Sequence, residues 1–220
     1  MLKEYVKRFG ICILGLAVFS LGMMLSVLAG SAGTNGWNTL AIGLSQSTPL
    51  SFGTATLIIS LAVVVIAAVC KGNIGFGTVL NMLEIAFLSD LFLAWFSFIP
   101  YAPNQIAGTV YTLLGQTLIS FGMVIYMLPG LGCGPRDTLM VIIGKRFPNA
   151  PIGLIKFALE AAVLVIGVLL GAPFGVGTVL VITLQAFIFQ LACRVCRYEP
   201  RDTVHEDIPH TLRRVFGKAQ

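Results

Sequence analysis

Gly75-Phe-Gly-Thr-Val-Leu80 and Gly175-Val-Gly-Thr-Val-Leu180 are one phrase written twice, 100 residues apart. Outward from it, Leu14-Gly15 recurs as Leu114-Gly115, and Ser20-Leu-Gly-Met23 as Ser120-Phe-Gly-Met123. Asn38-Thr39-Leu40 returns as Asp137-Thr138-Leu139, at an offset of 99. Four matches in one order at nearly one offset mark two homologous halves with one small indel.

Each half holds three apolar runs, roughly 9–28, 52–70 and 76–95, then 106–126, 152–170 and 176–196. A run of about 20 residues crosses about 30 Å of hydrocarbon as an α-helix. Helix is required because lipid offers no partner to an open backbone N–H or C=O. Three is odd, so the second half enters the bilayer from the opposite side. Such inverted repeats recur among secondary transporters, with the site at the repeat interface. The expected fold is an all-α integral membrane protein. Six transmembrane helices form two inverted three-helix repeats, 1–100 and 101–197, and residues 198–220 form a cytoplasmic tail.

Composition agrees. The chain is 57% hydrophobic and 10% charged, against about 25% charged in soluble domains. The net charge of +5 is no nucleic-acid footprint, because the basic residues sort by loop. Thirteen of the 14 Lys and Arg lie at the N-terminus, in the second and fourth loops and in the tail. The fourteenth, Lys156, sits near the inner end of the fifth run. The other three loops carry none, which places both termini in the cytoplasm.

A short element follows the first run of each half. Trp37, Leu40, Ala41 and Leu44 fall at helical spacing after the glycine-rich stretch 30–36. Its counterpart runs from Arg136 to Arg146 behind Pro135, a residue suited to a first helical position. Two readings compete. The helices rest in the interface as amphipathic elements, or they re-enter the membrane and turn their free N–H groups toward an anionic ligand. Asn38, Thr39, Arg136, Asp137 and Thr138 are candidate contacts in the second reading. Gly75, Gly77, Gly175 and Gly177 open the third and sixth runs. They suit close packing through small residues, or close approach of backbone to a ligand.

Four ionisable residues fall within runs: Glu84, Asp90, Lys156 and Glu160. Such residues are expensive in lipid and face protein or water. Thr78, Asn81 and Glu84 share one helical face. At about 1.5 Å per residue, Glu84 lies about 12 Å deep, Lys156 about 8 Å and Glu160 about 13 Å. A static ion pair from Lys156 to Glu84 or Glu160 competes with a substrate or proton role for Glu84. Gln185 and Gln190 add polar groups on the sixth run.

Five cysteines with no framework spacing argue against a disulfide scaffold. Cys193, Cys196, His205 and His210 are ligand types without a familiar zinc spacing, so no metal or cofactor is expected. Gly-x-Ser-x-Gly, P-loop and His-Glu-x-x-His motifs are missing, and no enzymatic activity is expected. Tyr198 to Gln220 is polar and reads as a mobile tail.

Asn38-Thr-Leu-Ala-Ile-Gly-Leu-Ser45, Gly53-Thr54, Gly72-Asn-Ile-Gly-Phe-Gly-Thr78 and Asn81-Met82 resemble the bacterial YczE/YyaS/YitT membrane proteins. The resemblance covers roughly 9–196 and implies a bacterial plasma-membrane protein. Members often carry an acidic residue where Asn38 stands, and Asp137 supplies one in the second half. The family implies no activity. The expected function is a small-molecule permease or exporter alternating access at the repeat interface. The alternative is a non-transporting scaffold or regulatory partner that acts through the tail.

Overall fold

The computed structural model describes residues 2–150, 152–198 and 205–216. The rest of the tail, with Arg201 and Lys218, lies outside them. The described residues form helices and connecting loops, without a strand. Five helices are long and apolar enough to cross a membrane: α1 (Leu2–Leu28), α3 (Phe52–Val69), α4 (Phe76–Trp95), α5 (Gln105–Met127) and α8 (Val176–Val195). The other helices are α2 (Gly36–Ser47), α6 (Pro135–Arg146), α7 (Ile152–Leu169) and α9 (Ile208–Phe216). α7 is as long as α3, and it carries Lys156 and Glu160.

The helices start where side chains or proline satisfy free N–H groups. Asn35, Ser51 and Asn104 cap α2, α3 and α5 by accepting from the N–H three residues on, and Pro135 opens α6. The charge of Asp90 is absorbed at one of these starts. Its carboxylate accepts the Gly53 N–H at 2.7 Å and the Ser51 hydroxyl, where the helix dipole favours an anion.

α1 and α5 form the centre. Gly15 lies against Gly122, and Gly22 against Gly115. A Cβ at any of the four would stand 2.3–2.7 Å from backbone atoms of the other helix. Only glycine permits that approach, as at small-residue crossings between membrane helices. α4 packs beside α1 and α8 beside α5, α2 runs along α7, and α6 runs along α3. Outward faces are apolar: Ile58, Val65, Phe87, Val179 and Phe187 are exposed, as lipid-facing residues must be.

The two loops that lead into α2 and α6 thread between these helices. Gly33 and Gly132 take positive φ, +73° and +126°, to turn the chain inward. Gly75 and Gly77 lie against Leu131 and Gly132, and Gly175 and Gly177 against Ser31, Ala32 and Gly33. These four glycines therefore serve the close packing of α4 and α8 on the lead-in loops.

The reading of the tail needs correcting over residues 205–213. The Glu206 N–H donates to the Gly130 carbonyl at 2.9 Å, and the Ile208 N–H to the Ile74 carbonyl at 3.2 Å. The Glu206 carboxylate accepts from Tyr5, Arg8 and Thr211, each at 3.0 Å. Arg8 also donates to the Pro129 carbonyl. The polar residues here are not simply solvated: the Glu206 carboxylate docks on α1, and two backbone N–H groups meet loop carbonyls. Burial alone would push the Glu206 carboxyl up. The hydrogen bonds from Arg8, Thr211 and Tyr5, with the Arg8 charge, outweigh it and hold the carboxyl below its ordinary value. Burial holds the neighbouring His205 imidazole below its ordinary value.

Candidate functional site

The N-terminal ends of the two short helices, α2 and α6, meet at one cavity inside the bundle. The residues that begin α2 (Asn35, Trp37) and α6 (Gly134, Arg136, Asp137) line it. Gln116, midway along α5, lines it too, and its side-chain oxygen accepts from the Asn35 amide at 3.3 Å. The cavity leaves about 90 Å³ for the centres of water-sized spheres. One water needs about 10–15 Å³ on that measure, so several waters or one small solute fit.

Four charged side chains reach this space: Arg136 and Asp137 from α6, Lys156 and Glu160 from α7. Each cation acts electrostatically on both carboxylates. Among the described residues the one ion pair within 4.0 Å is Arg8–Glu206, so these four charges are held apart. Arg136 lies over the Trp37 ring, its Cζ 5.1 Å from the ring centre, and Lys156 Nζ stands 5.7 Å from the Phe189 centre. Desolvated cation–π contacts are worth about 2 kcal/mol. They can position a cation without consuming its hydrogen-bond donors.

Trp37 and Arg136 are themselves sequence-matched at the offset of 99, so the residues that follow the two helix starts meet each other. The starts differ in what satisfies them. At α2 the Asn35 side chain accepts from the Asn38 N–H at 3.0 Å, and the Glu160 carboxylate accepts from the Gly36 N–H at 2.9 Å. At α6 the Tyr126 hydroxyl accepts from the Gly134 N–H at 3.0 Å. The cap position is Gly134, which has no side chain to offer. The N–H groups of Arg136 and Asp137 find no acceptor among the described residues.

Of the candidates read from sequence, the cavity brings together Asn81, Arg136, Asp137, Lys156 and Glu160, with Gln185. Glu84 is not among its lining residues. It lies near Cys12 of α1. Thr39 and Thr138 turn back to accept their place in their own helices, donating to the carbonyls of Asn35 and Gly134 at 2.9 and 3.1 Å. Asn38 is fully buried away from the cavity, and its amide finds no partner. Sequence reading missed Asn35, Gln116, Tyr126 and the Trp37–Arg136 contact. A glutamine in the middle of an apolar run was the available signal for Gln116.

Residues 6–194 match a family described as DUF6198, a family of unknown function. A Haemophilus influenzae relative, described as an uncharacterized protein, is 35% identical over 178 residues, 80% of this chain and 79% of its own. The Bacillus subtilis uncharacterized membrane protein YczE is 28% identical over 194 residues, 87% and 88% of the two chains. The Bacillus subtilis protein YyaS is 24% identical over 182 residues, 81% and 88% of the two chains. No solved structure matches the chain. With its apolar helices and these relatives, the chain is a multi-pass membrane protein that belongs to the DUF6198 family.

Proposed function

We propose that this protein is a small-molecule permease of the bacterial plasma membrane, working by alternating access between two inverted three-helix halves. In this reading α7 is the sixth span, and both termini are cytoplasmic because the Lys and Arg gather on that side. The observation that carries it is the meeting of two half-helix N-termini in one charged cavity. Irregular backbone deep in a membrane protein is tolerated where it lines a cavity, and half-helix ends at a repeat interface are a recurrent transport site.

The reciprocal contacts support the symmetry: Gly15 with Gly122 as Gly22 with Gly115, and Gly75 with the α6 lead-in as Gly175 with the α2 lead-in. An axis relating the halves would pass between Trp37 and Arg136. The partner-recruiting reading has less support than the permease, because residues 205–213 of the tail are already engaged by the bundle.

The symmetry makes the far ends of α2 and α6 open to opposite sides. Single cysteines at Ser47 and Lys145, in a background with the native cysteines replaced, test it with a membrane-impermeant maleimide on intact cells. Ser47→Cys labels and Lys145→Cys labels only after the membrane is breached. Labelling of both from outside ends the inverted arrangement. In proteoliposomes, Arg136→Gln abolishes solute exchange while Glu84→Gln retains it. The reverse result moves the pathway to the α1–α4 side.

A further inference from the structure

The cavity also specifies a charge pattern for its ligand, an inference that rests on its being the permease site. Arg136, Lys156, Asp137 and Glu160 sum to zero formal charge. A bare anion or a bare cation would leave one charge in excess in a low-dielectric interior, the arrangement a buried site tolerates least. A ligand carrying both signs keeps the balance.

The hydrogen-bonding capacity of the four is unequal. Glu160 is engaged by the Gly36 N–H. The guanidinium of Arg136 and the ammonium of Lys156 donate no hydrogen bond within the described residues, although they carry five and three N–H donors. Both are held against aromatic rings with those donors unspent. The open N–H groups of Arg136 and Asp137 at the start of α6 add to the same side. The Asp137 carboxylate takes a hydrogen bond from the Tyr126 hydroxyl and keeps further acceptor positions for a cation.

We propose that the cavity takes a small zwitterion. Its carboxylate lies on Arg136, Lys156 and the first turn of α6, and its cationic end on Asp137. Both ends bind within one compact space, so the ligand is small. A cavity of about 90 Å³ fits a short amino acid or betaine rather than a peptide.

The test uses the purified full-length protein in detergent, read by calorimetry and by thermal shift. The probes are glycine, β-alanine and γ-aminobutyrate. Each is set against its single-charge counterparts: acetate, propionate and butyrate, then methylamine, ethylamine and propylamine. At least one zwitterion binds tenfold or more tightly than both of its counterparts. Arg136→Gln weakens that binding at least tenfold, and Lys156→Gln does so independently should the first variant fold poorly. Equal binding of the carboxylate overturns the proposal in favour of an anion site. Equal binding of the amine overturns it in favour of a cation site, and silence from all nine probes overturns it outright. The permease reading fails separately: zwitterion binding without exchange in proteoliposomes removes transport and keeps the ligand class. Exchange of a single-charge solute without zwitterion binding does the opposite.

Discussion

The start of α2 and the start of α6 occupy matched places in the sequence and end at the same cavity, yet one is sealed and the other is open. At α2, Asn35 caps the first turn, Glu160 closes the Gly36 N–H, and Asn38 is buried out of the cavity. At α6 the cap residue is Gly134, and the positions matching Trp37 and Asn38 are Arg136 and Asp137, both facing the space. Two matched helix starts thus end differently. The donors at the start of α2 are spent on a wall of the cavity, and those at the start of α6 are left open among the described residues.

The largest effect should come from disturbing the wall. A Cβ at Gly36 would stand 2.3 Å from the Glu160 carbonyl oxygen, a backbone atom of a packed helix. A Cβ at Gly134 would meet the Tyr126 hydroxyl at 2.9 Å and the Asn81 amide at 3.3 Å, side-chain ends with more freedom. Overpacking of this kind costs about 1–3 kcal/mol. Gly36→Ala should therefore lose that much stability in detergent melts, and Gly134→Ala clearly less. Equal losses would show that the two starts are walled alike.

A smaller and more selective effect comes from closing the open end. Gly134 has φ −62° and ψ 161°, a conformation that serine adopts without strain and that suits an N-cap. Gly134→Ser should supply the missing acceptor to the α6 N–H groups. Helix caps contribute about 1 kcal/mol, so thermal stability should hold or rise while exchange in proteoliposomes falls several-fold. A variant that is stabilised and fully active would mean that those N–H groups do not meet the ligand.

How much of this was legible follows from where the information sits. The apolar helices are written in composition, and the recurring phrases Gly75-Phe-Gly and Gly175-Val-Gly open two of the five membrane-length helices. Lys156 and Glu160 were legible because charge in an apolar run is costly and therefore conspicuous, and Arg136 and Asp137 because they open the short element that follows the first run of the second half. Glu84 was equally conspicuous but misplaced, because helical spacing gives a face and not the neighbour that face meets. Asn35 and Tyr126 were illegible for another reason. Each sits at a helix end, where its role depends on how the adjoining loop turns, as when the Gly134 N–H returns to the Tyr126 hydroxyl. The docking of Glu206 on Arg8 spans 198 residues, and no local pattern encodes it.

The smallest predicted effect concerns that docking, which acts on only one side of the comparison. Arg8 and Glu206 hold the Pro129 and Gly130 carbonyls of the loop entering α6, whereas the loop entering α2 is held by Thr112 and Gln105, which do not titrate. Acid should therefore loosen the open end and spare the sealed one. The sign follows from the two shifts. His205 is held below its ordinary 6.5 by burial, so the unfolded strap binds the proton first, and stability falls as pH drops through that value. Glu206 is held below its ordinary 4.5. Its contribution is complete above 4.5 and is lost as pH falls through its lowered folded value. A spin label at Leu212→Cys, a residue exposed on α9, should gain mobility in two stages on acidification. His205→Gln removes the first stage. Glu206→Gln raises mobility at neutral pH and removes the second. Mobility that does not change through both stages of acidification would mean that backbone bonds alone hold residues 205–213, leaving the α6 entry as insensitive to acid as the α2 entry.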